Sequence, residues 1–220
     1  MNYYIIVEGI TEKKIYKSWI PILNPLLKSV DFVDNLKDNN FFIMSGGGYP
    51  AYLDLIDGAI DTINSINSIN RLIIAVDSED NTKEAKKTEI DDILANKTCS
   101  CEVHVIIQHF CIEAWGLGNI KIGPRNPSTQ IVKDYKLLYN VLTEDPELLP
   151  PNTVLELNRA QFAYSYIKAL FNDKNRQMTH SKSNPKTMMH EKYLLELIAR
   201  HKKSGHIDSF NNFVSLFIAS

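Results

Sequence analysis

The chain has 220 residues, 44% of them hydrophobic, enough for a sizeable core in one large domain or one domain with an appendage. No apolar run approaches the roughly 18 to 20 residues a bilayer span needs. The first residues lack the basic region and cleavage site of a signal peptide, and three cysteines with a "CSC" spacing make no zinc motif. The expectation is a cytosolic, membrane-free protein with reduced thiols. Its formal charge of −2 conceals an asymmetry: residues 168–203 carry nine Lys or Arg against three Asp or Glu, or +6, so the remainder carries −8. An acidic half beside a basic one suits a protein that binds cations in one place and a polyanion in another, although a charge run is also the ordinary solvated face of a helix.

In chain order, residues 3–7 read as a strand. Residues 11–27 begin as a helix with Ile15, Trp19 and Ile22 on one face and a bend at Pro21. Residues 40–44 predict a second strand ended by "SGGG", and 49–63 a helix whose apolar stripe is Leu53, Ile56, Ala59, Ile60 and Ile63. After the polar connector "SINSIN" come a third strand at 72–76, a charged helix at 82–94 and a fourth strand at 103–107. This alternation predicts an α/β fold: a mostly parallel four-stranded sheet whose inner strands, "LIIAV" and "VHVII", are continuous apolar runs because both faces are covered. Beyond residue 110 the pattern becomes a short helix in "FCIEAWGLGN", a Pro-rich stretch to residue 152, and helices at 153–172, 186–201 and 209–218. The reading is a catalytic sheet over 1–110 and a helical, loop-rich extension over 111–220 packed on it, with the basic segment 168–203 inside the extension.

In open parallel sheets, sites form beyond the carboxyl ends of the strands. There the first strand is followed by Glu8 and Gly9, with Glu12 one helical turn on. The second is followed by Gly46, Gly47 and Gly48, and the third by Asp77, Ser78, Glu79 and Asp80. Parallel neighbours share an edge, so Glu8 and Asp77 are expected within reach of one ion although 69 positions separate them. Crowded carboxylates repel unless a cation lies between them, and hard oxygens select Mg²⁺ or Mn²⁺ over zinc. Glycines after a strand leave room for a phosphate or a water, or simply make a tight turn. No Gly-Lys-Ser/Thr follows them, so this is not a Walker loop.

"VEGITE" after the first strand, a glycine turn after the second and "DSED" after the third together resemble the TOPRIM domain. Topoisomerases, bacterial primases, small RNA-processing nucleases and the OLD-type nucleases of phage defence share that Rossmann-like domain. The resemblance spans roughly residues 3–108. It implies that Glu8 is a metal ligand or general acid/base, that Glu12 is the second acid of OLD-type nucleases, and that Asp77 opens the family's Asp-x-Asp motif. Glu79 departs from that motif by one methylene, on the order of 1.5 Å, which still lets it reach a metal, and Asp80 beside it is the alternative ligand. The plainer readings are that Glu8 complements a helix dipole, Glu12 lies at the surface, and Asp77 is a helix cap.

The chain has no room for a topoisomerase gate domain and no Cys/His module of a primase. What the resemblance leaves is phosphodiester hydrolysis with Mg²⁺ or Mn²⁺, the acids Glu8, Asp77 and Glu79 being catalytic. "QHFCIEAWGLGN" is similar to a Glu-x-Trp-x-Leu segment of stand-alone TOPRIM-like proteins. His109 and Glu113, four apart, share a helical face if the helix starts early, where they would add a ligand or orient a water; the alternative is a satisfied interior histidine and a structural glutamate. Lys174, Arg176, His180, Lys182 and Lys186 fall in a polar loop where they would meet phosphates, and Lys192, Arg200, Lys202 and Lys203 read as a solvated face. Defence nucleases of this type commonly work with an ATPase; with no Walker motif here, that partner would be a separate protein, and a homo-oligomer is also compatible. The expected function is a Mg²⁺-dependent endonuclease acting on DNA or structured RNA such as transfer RNA. The alternatives are a non-catalytic assembly subunit of the same fold and a nucleotide phosphotransferase.

Overall fold

The computed structural model of the protein describes residues 1–174 and 180–218. Its central strand is β1 (Tyr3–Val7), buried along its whole length. β1 pairs in parallel with β3 (Asn40–Ser45) on one side and β4 (Arg71–Asp77) on the other, Val7 lying opposite Ser45 and Ala75. β2 (Lys28–Val30) adds to the outer side of β3, and β5 (Glu102–Gln108) adjoins β4. The sheet thus has five strands in the order β2-β3-β1-β4-β5, one more than the sequence pattern predicts. Three residues, Lys-Ser-Val, are too few to show a period, and β2 exists because β3 offers it an edge.

Alternation along the strands sorts side chains to two faces. Tyr4, Ile6, Leu72, Ile74, Val76 and Ile107 pack with Tyr52, Ile56, Ile60 and Ile63 of α2 (Ala51–Ser65) and Ile90 of α3 (Lys83–Leu94). Tyr3, Ile5, Val7, Ile73 and Ala75 are buried on the opposite face. α1 (Ile10–Leu23) contacts β1 and β3 and buries Ile15, Tyr16, Trp19 and Ile20. This is the layered α/β architecture of Rossmann-like folds. α1 holds Pro21 in its last turn, where only one intrahelical bond is lost, and ends at Leu23 rather than at residue 27.

The chain divides into two compact units. One comprises Met1–Val76, Asn81–Ile107 and the residues from Leu216; the other comprises Asp77–Asp80 and Gln108–Ser215. The second is helical, with α4 (Ile112–Leu117), α5 (Gln130–Leu138), α6 (Arg159–Lys174), α7 (Lys186–Met189), α8 (Glu191–Ser204) and all but the last two residues of α9 (Asp208–Phe217). Its core stacks Tyr135, Phe162 and Tyr166 in one place and Trp115, Phe210 and Phe213 in another. α5 lies within the stretch that reads as loop, and α6 starts at Arg159 rather than at residue 153. Arg200 is no part of a solvated face: it is buried and donates to the carbonyls of Val141, Leu142 and Glu144. Among the described residues no helix is long and apolar enough to cross a membrane.

Candidate active site

At the carboxyl end of β1 the glycine turn takes over the ladder. Gly46 N–H donates to the Val7 carbonyl at 2.8 Å and Gly48 N–H to the Glu8 carbonyl at 3.0 Å, which fixes the backbone that carries Glu8. Gly46 is a packing requirement: a Cβ there would lie 2.2 Å from Tyr52 Cβ and 2.7 Å from its Cα. Gly47 and Gly48 take φ of +76° and +97°, which L side chains rarely adopt.

Glu12 is 6% exposed, which overturns the surface reading. A Cβ on Gly9 would sit 2.6 Å from Glu12 Oε2, so the carboxylate folds back over Gly9 at the amino end of α1, where the helix dipole favours an anion. Beside Tyr52, which feels the charge of Glu8, stands a residue that sequence reading missed. Lys86 is buried, with Nζ 2.7 Å from Glu89 Oε2, 3.4 Å from the Tyr52 hydroxyl and 4.9 Å from the centre of the Tyr49 ring. Burial works against its charge, but the bonds to Glu89 and Tyr52 outweigh it and its pKa is raised. Burial also pushes the Tyr52 phenol up to about 12; Lys86 opposes this, and the charges of Glu8 and Glu89 add to it. At neutral pH this end of the unit therefore holds a charged ammonium and a protonated phenol near Glu8. The signal was present in the sequence: Lys86 lies four residues before Ile90 and shares its face of α3.

The turn after β4 belongs to the helical unit. Asp77 is half-buried, Ser78 fully buried, and Glu79 and Asp80 exposed. Ser78 N–H donates to the Gln108 carbonyl at 3.0 Å and Glu79 N–H to the Phe110 carbonyl at 2.9 Å; Ser78 Oγ is 2.8 Å from His109 Nδ1. Glu79 has φ of +49°, left-handed for a residue with a Cβ, a conformation that survives only where neighbours impose it. Arg159 completes that imposition. Its Nη2 donates to the Glu79 carbonyl at 3.3 Å, its Nε is 4.0 Å from Asp80 Oδ1, and its guanidinium lies 5.1 Å from the centre of the Phe110 ring. Nothing in the sequence near residue 159 singles out this arginine.

His109 and Glu113 do not share a helical face, because α4 begins only at Ile112 with Cys111 as its cap. His109 turns to Ser78, while its N–H donates to Ser209 Oγ at 3.0 Å. Ser209 also accepts from Trp115 Nε1 at 2.7 Å and donates its hydroxyl to the buried Glu147 carboxylate. Glu113 is buried, with Oε1 3.2 Å from His180 Nε2. His180 is therefore no phosphate contact: it is 3% exposed, between the rings of Tyr164 and Phe171. Burial pushes the Cys111 thiol well above its ordinary range and the charges of Glu113 and Asp77 push it further, which marks both carboxylates as neighbours of that thiol.

Of the expected nucleic-acid contacts, Lys182 and Lys186 are exposed, and Arg176 lies outside the described residues. Lys174 is exposed, bonds the Lys121 carbonyl and lines, with Lys121 and Lys192, a cavity of about 730 Å³ whose acids Glu191 and Glu196 offset the lysines. Among the described residues no three His, Cys, Asp or Glu form a preformed metal cage. The strand-end donors are nevertheless all carboxylate oxygens, and Mg²⁺ keeps most of its waters while taking one or two carboxylates, so the donor chemistry fits that ion. No family model, no curated protein and no solved structure matches the chain.

Proposed function

We propose that the chain is a Mg²⁺-dependent (or Mn²⁺-dependent) phosphodiester hydrolase of the TOPRIM type that cleaves nucleic acid, either DNA or a structured RNA such as transfer RNA. In this reading it is the effector of an anti-phage system whose ATPase is a separate protein. The observation that carries it is the register of β1 and β4. With Val7 opposite Ala75, the chain leaves both strands at one sheet edge, one residue before Glu8 and two before Asp77. The buried position of Glu12 in the next turn and the glycine ladder that fixes Glu8 support the same reading.

Glu8 and Asp77 would hold the ion, with Glu12 and Glu79 as further carboxylates. Bound there, Mg²⁺ supplies Lewis-acid stabilisation of charge on phosphate oxygens. The chain's own groups do the rest. A carboxylate at the edge, Glu8 or Glu79, accepts a proton from the attacking water, and the Lys86 ammonium offers positive charge near Glu8 without drawing on the ion. Asp80 is engaged with Arg159, which leaves Glu79 as the freer acid of the turn. Lys182 and Lys186 would steer the polyanion without reading bases.

The test is cleavage of plasmid DNA and of transfer RNA by wild type, Glu8→Gln and Asp77→Asn across Mg²⁺ and Mn²⁺. A loss of roughly 100-fold or more is expected in both variants. Equal behaviour of all three proteins ends the hydrolase reading. Binding without cleavage points instead to an assembly subunit, and turnover confined to mononucleotides points to a phosphotransferase.

A further inference from the structure

Gln108 ends β5 and is fully buried, yet neither its amide oxygen nor its amide nitrogen has a hydrogen-bond partner among the described residues. A buried primary amide with both ends unsatisfied is costly, and native structures resolve such groups with a water, an ion or a ligand. Its place in the sheet narrows the choice. Val76 and Ile107 both face the α2–α3 side, so strand alternation puts Asp77 and Gln108 together on the other face. The bond from Ser78 N–H to the Gln108 carbonyl makes Asp77 and Gln108 lateral neighbours in the ladder. An unsatisfied hard oxygen thus stands beside a carboxylate at the end of the sheet. Nearby, Glu113 holds His180, whose Nδ1 also has no partner among the described residues, so this interior is polar beyond what its own groups satisfy.

We infer that Gln108 is a ligand-binding residue of this edge, its amide holding a hydrated divalent cation beside Asp77. The inference rests on the Mg²⁺ part of the proposed function. It goes further by assigning a neutral oxygen donor that neither the acidic motifs nor the glycine turn indicate. A glutamine carbonyl is an ordinary ligand for a hard cation, and its NH₂ can donate to a carboxylate or phosphate oxygen alongside.

The experiment is thermal unfolding with Mg²⁺ or Mn²⁺ alone, against chelator, for wild type, Gln108→Met and Gln108→Glu. Wild type is expected to gain about 5 °C at saturating metal. Gln108→Met removes the unsatisfied amide, so in chelator it melts about 2 to 4 °C above wild type, while its metal-dependent gain falls to less than half. Gln108→Glu puts a charged oxygen at the same place and enlarges the gain. The inference is overturned if Gln108→Met keeps the full gain, if Gln108→Glu shows none, or if wild type does not respond to either metal. Because no cleavage is read, the two readings fail separately. A metal-dependent gain lost in Gln108→Met, in a protein that cuts nothing, sinks the hydrolase and keeps Gln108. Cleavage by a protein whose Gln108→Met variant keeps its gain does the reverse.

Discussion

Glu79 pairs a costly backbone conformation with an exposed carboxylate, the pattern of a residue kept for what its side chain does. Glycine adopts φ near +49° freely, so Glu79→Gly should raise stability by about 1 kcal/mol in urea unfolding while lowering hydrolysis. A variant that is less stable, or as active as wild type, would show that the turn merely tolerates its glutamate. Strand-end position alone made Glu8, Asp77 and the glycines legible from the sequence, because parallel topology fixes which residues share an edge. Lys86, Arg159 and Gln108 were not picked out. Each owes its surroundings to residues distant in the chain: Tyr52 for the first, Glu79 and Phe110 for the second, Ser78 for the third.

At the scale of elements, α5 depends on a carboxylate borrowed from α6. Its cap, Thr129, makes no side-chain capping bond. Asp173 instead accepts from Ser128 N at 3.1 Å, Ser128 Oγ at 2.8 Å and Thr129 N at 2.5 Å. Burial opposes ionisation of Asp173, but these bonds outweigh it and bring the carboxyl down to about 2, from an ordinary 3.8. A depressed carboxylate contributes stability that is fully present above the unfolded value and is lost as pH falls through the folded one. Wild type should therefore exceed Asp173→Asn by about 1 kcal/mol at neutral pH, a figure held down by solvent screening. That advantage should disappear between about pH 4 and pH 2 in urea unfolding followed against pH. A difference constant across that range would mean that the charge on Asp173 is not what anchors α5. The same borrowing explains why α5 reads as loop: nine residues among prolines carry too short a period, and their start signal lies 44 positions downstream. The long apolar strands needed no such help.

For the whole molecule, the sequence pattern suggests one break at residue 110, whereas the compact units are discontinuous and exchange at residues 76/77, 80/81, 107/108 and 215/216. The short excursion Asp77–Asp80, however, groups with the helical unit, whose Gln108, His109, Phe110 and Arg159 hold it. A fragment ending at residue 110 keeps the acids but loses Arg159 and the Ser209 bond that fixes His109. It should show no sharp thermal transition by circular dichroism and no response to Mg²⁺. A cooperative, Mg²⁺-responsive fragment would show that the first 110 residues suffice. Hydropathy could not reveal this dependence, since it marks where apolar runs begin and end but not which unit supplies the partners of a four-residue turn.

The interleaving has a consequence for inheritance. Recombination usually spreads domains as contiguous coding segments, exchanged at a single junction. Here the segment encoding the sheet carries four codons whose products are held by residues encoded downstream of it, and the codons for residues 216–218 belong again to the sheet unit. A crossover near codon 107 would splice an acidic turn to foreign supports. Such chimaeras should be lost from populations, and the gene should travel as one indivisible length.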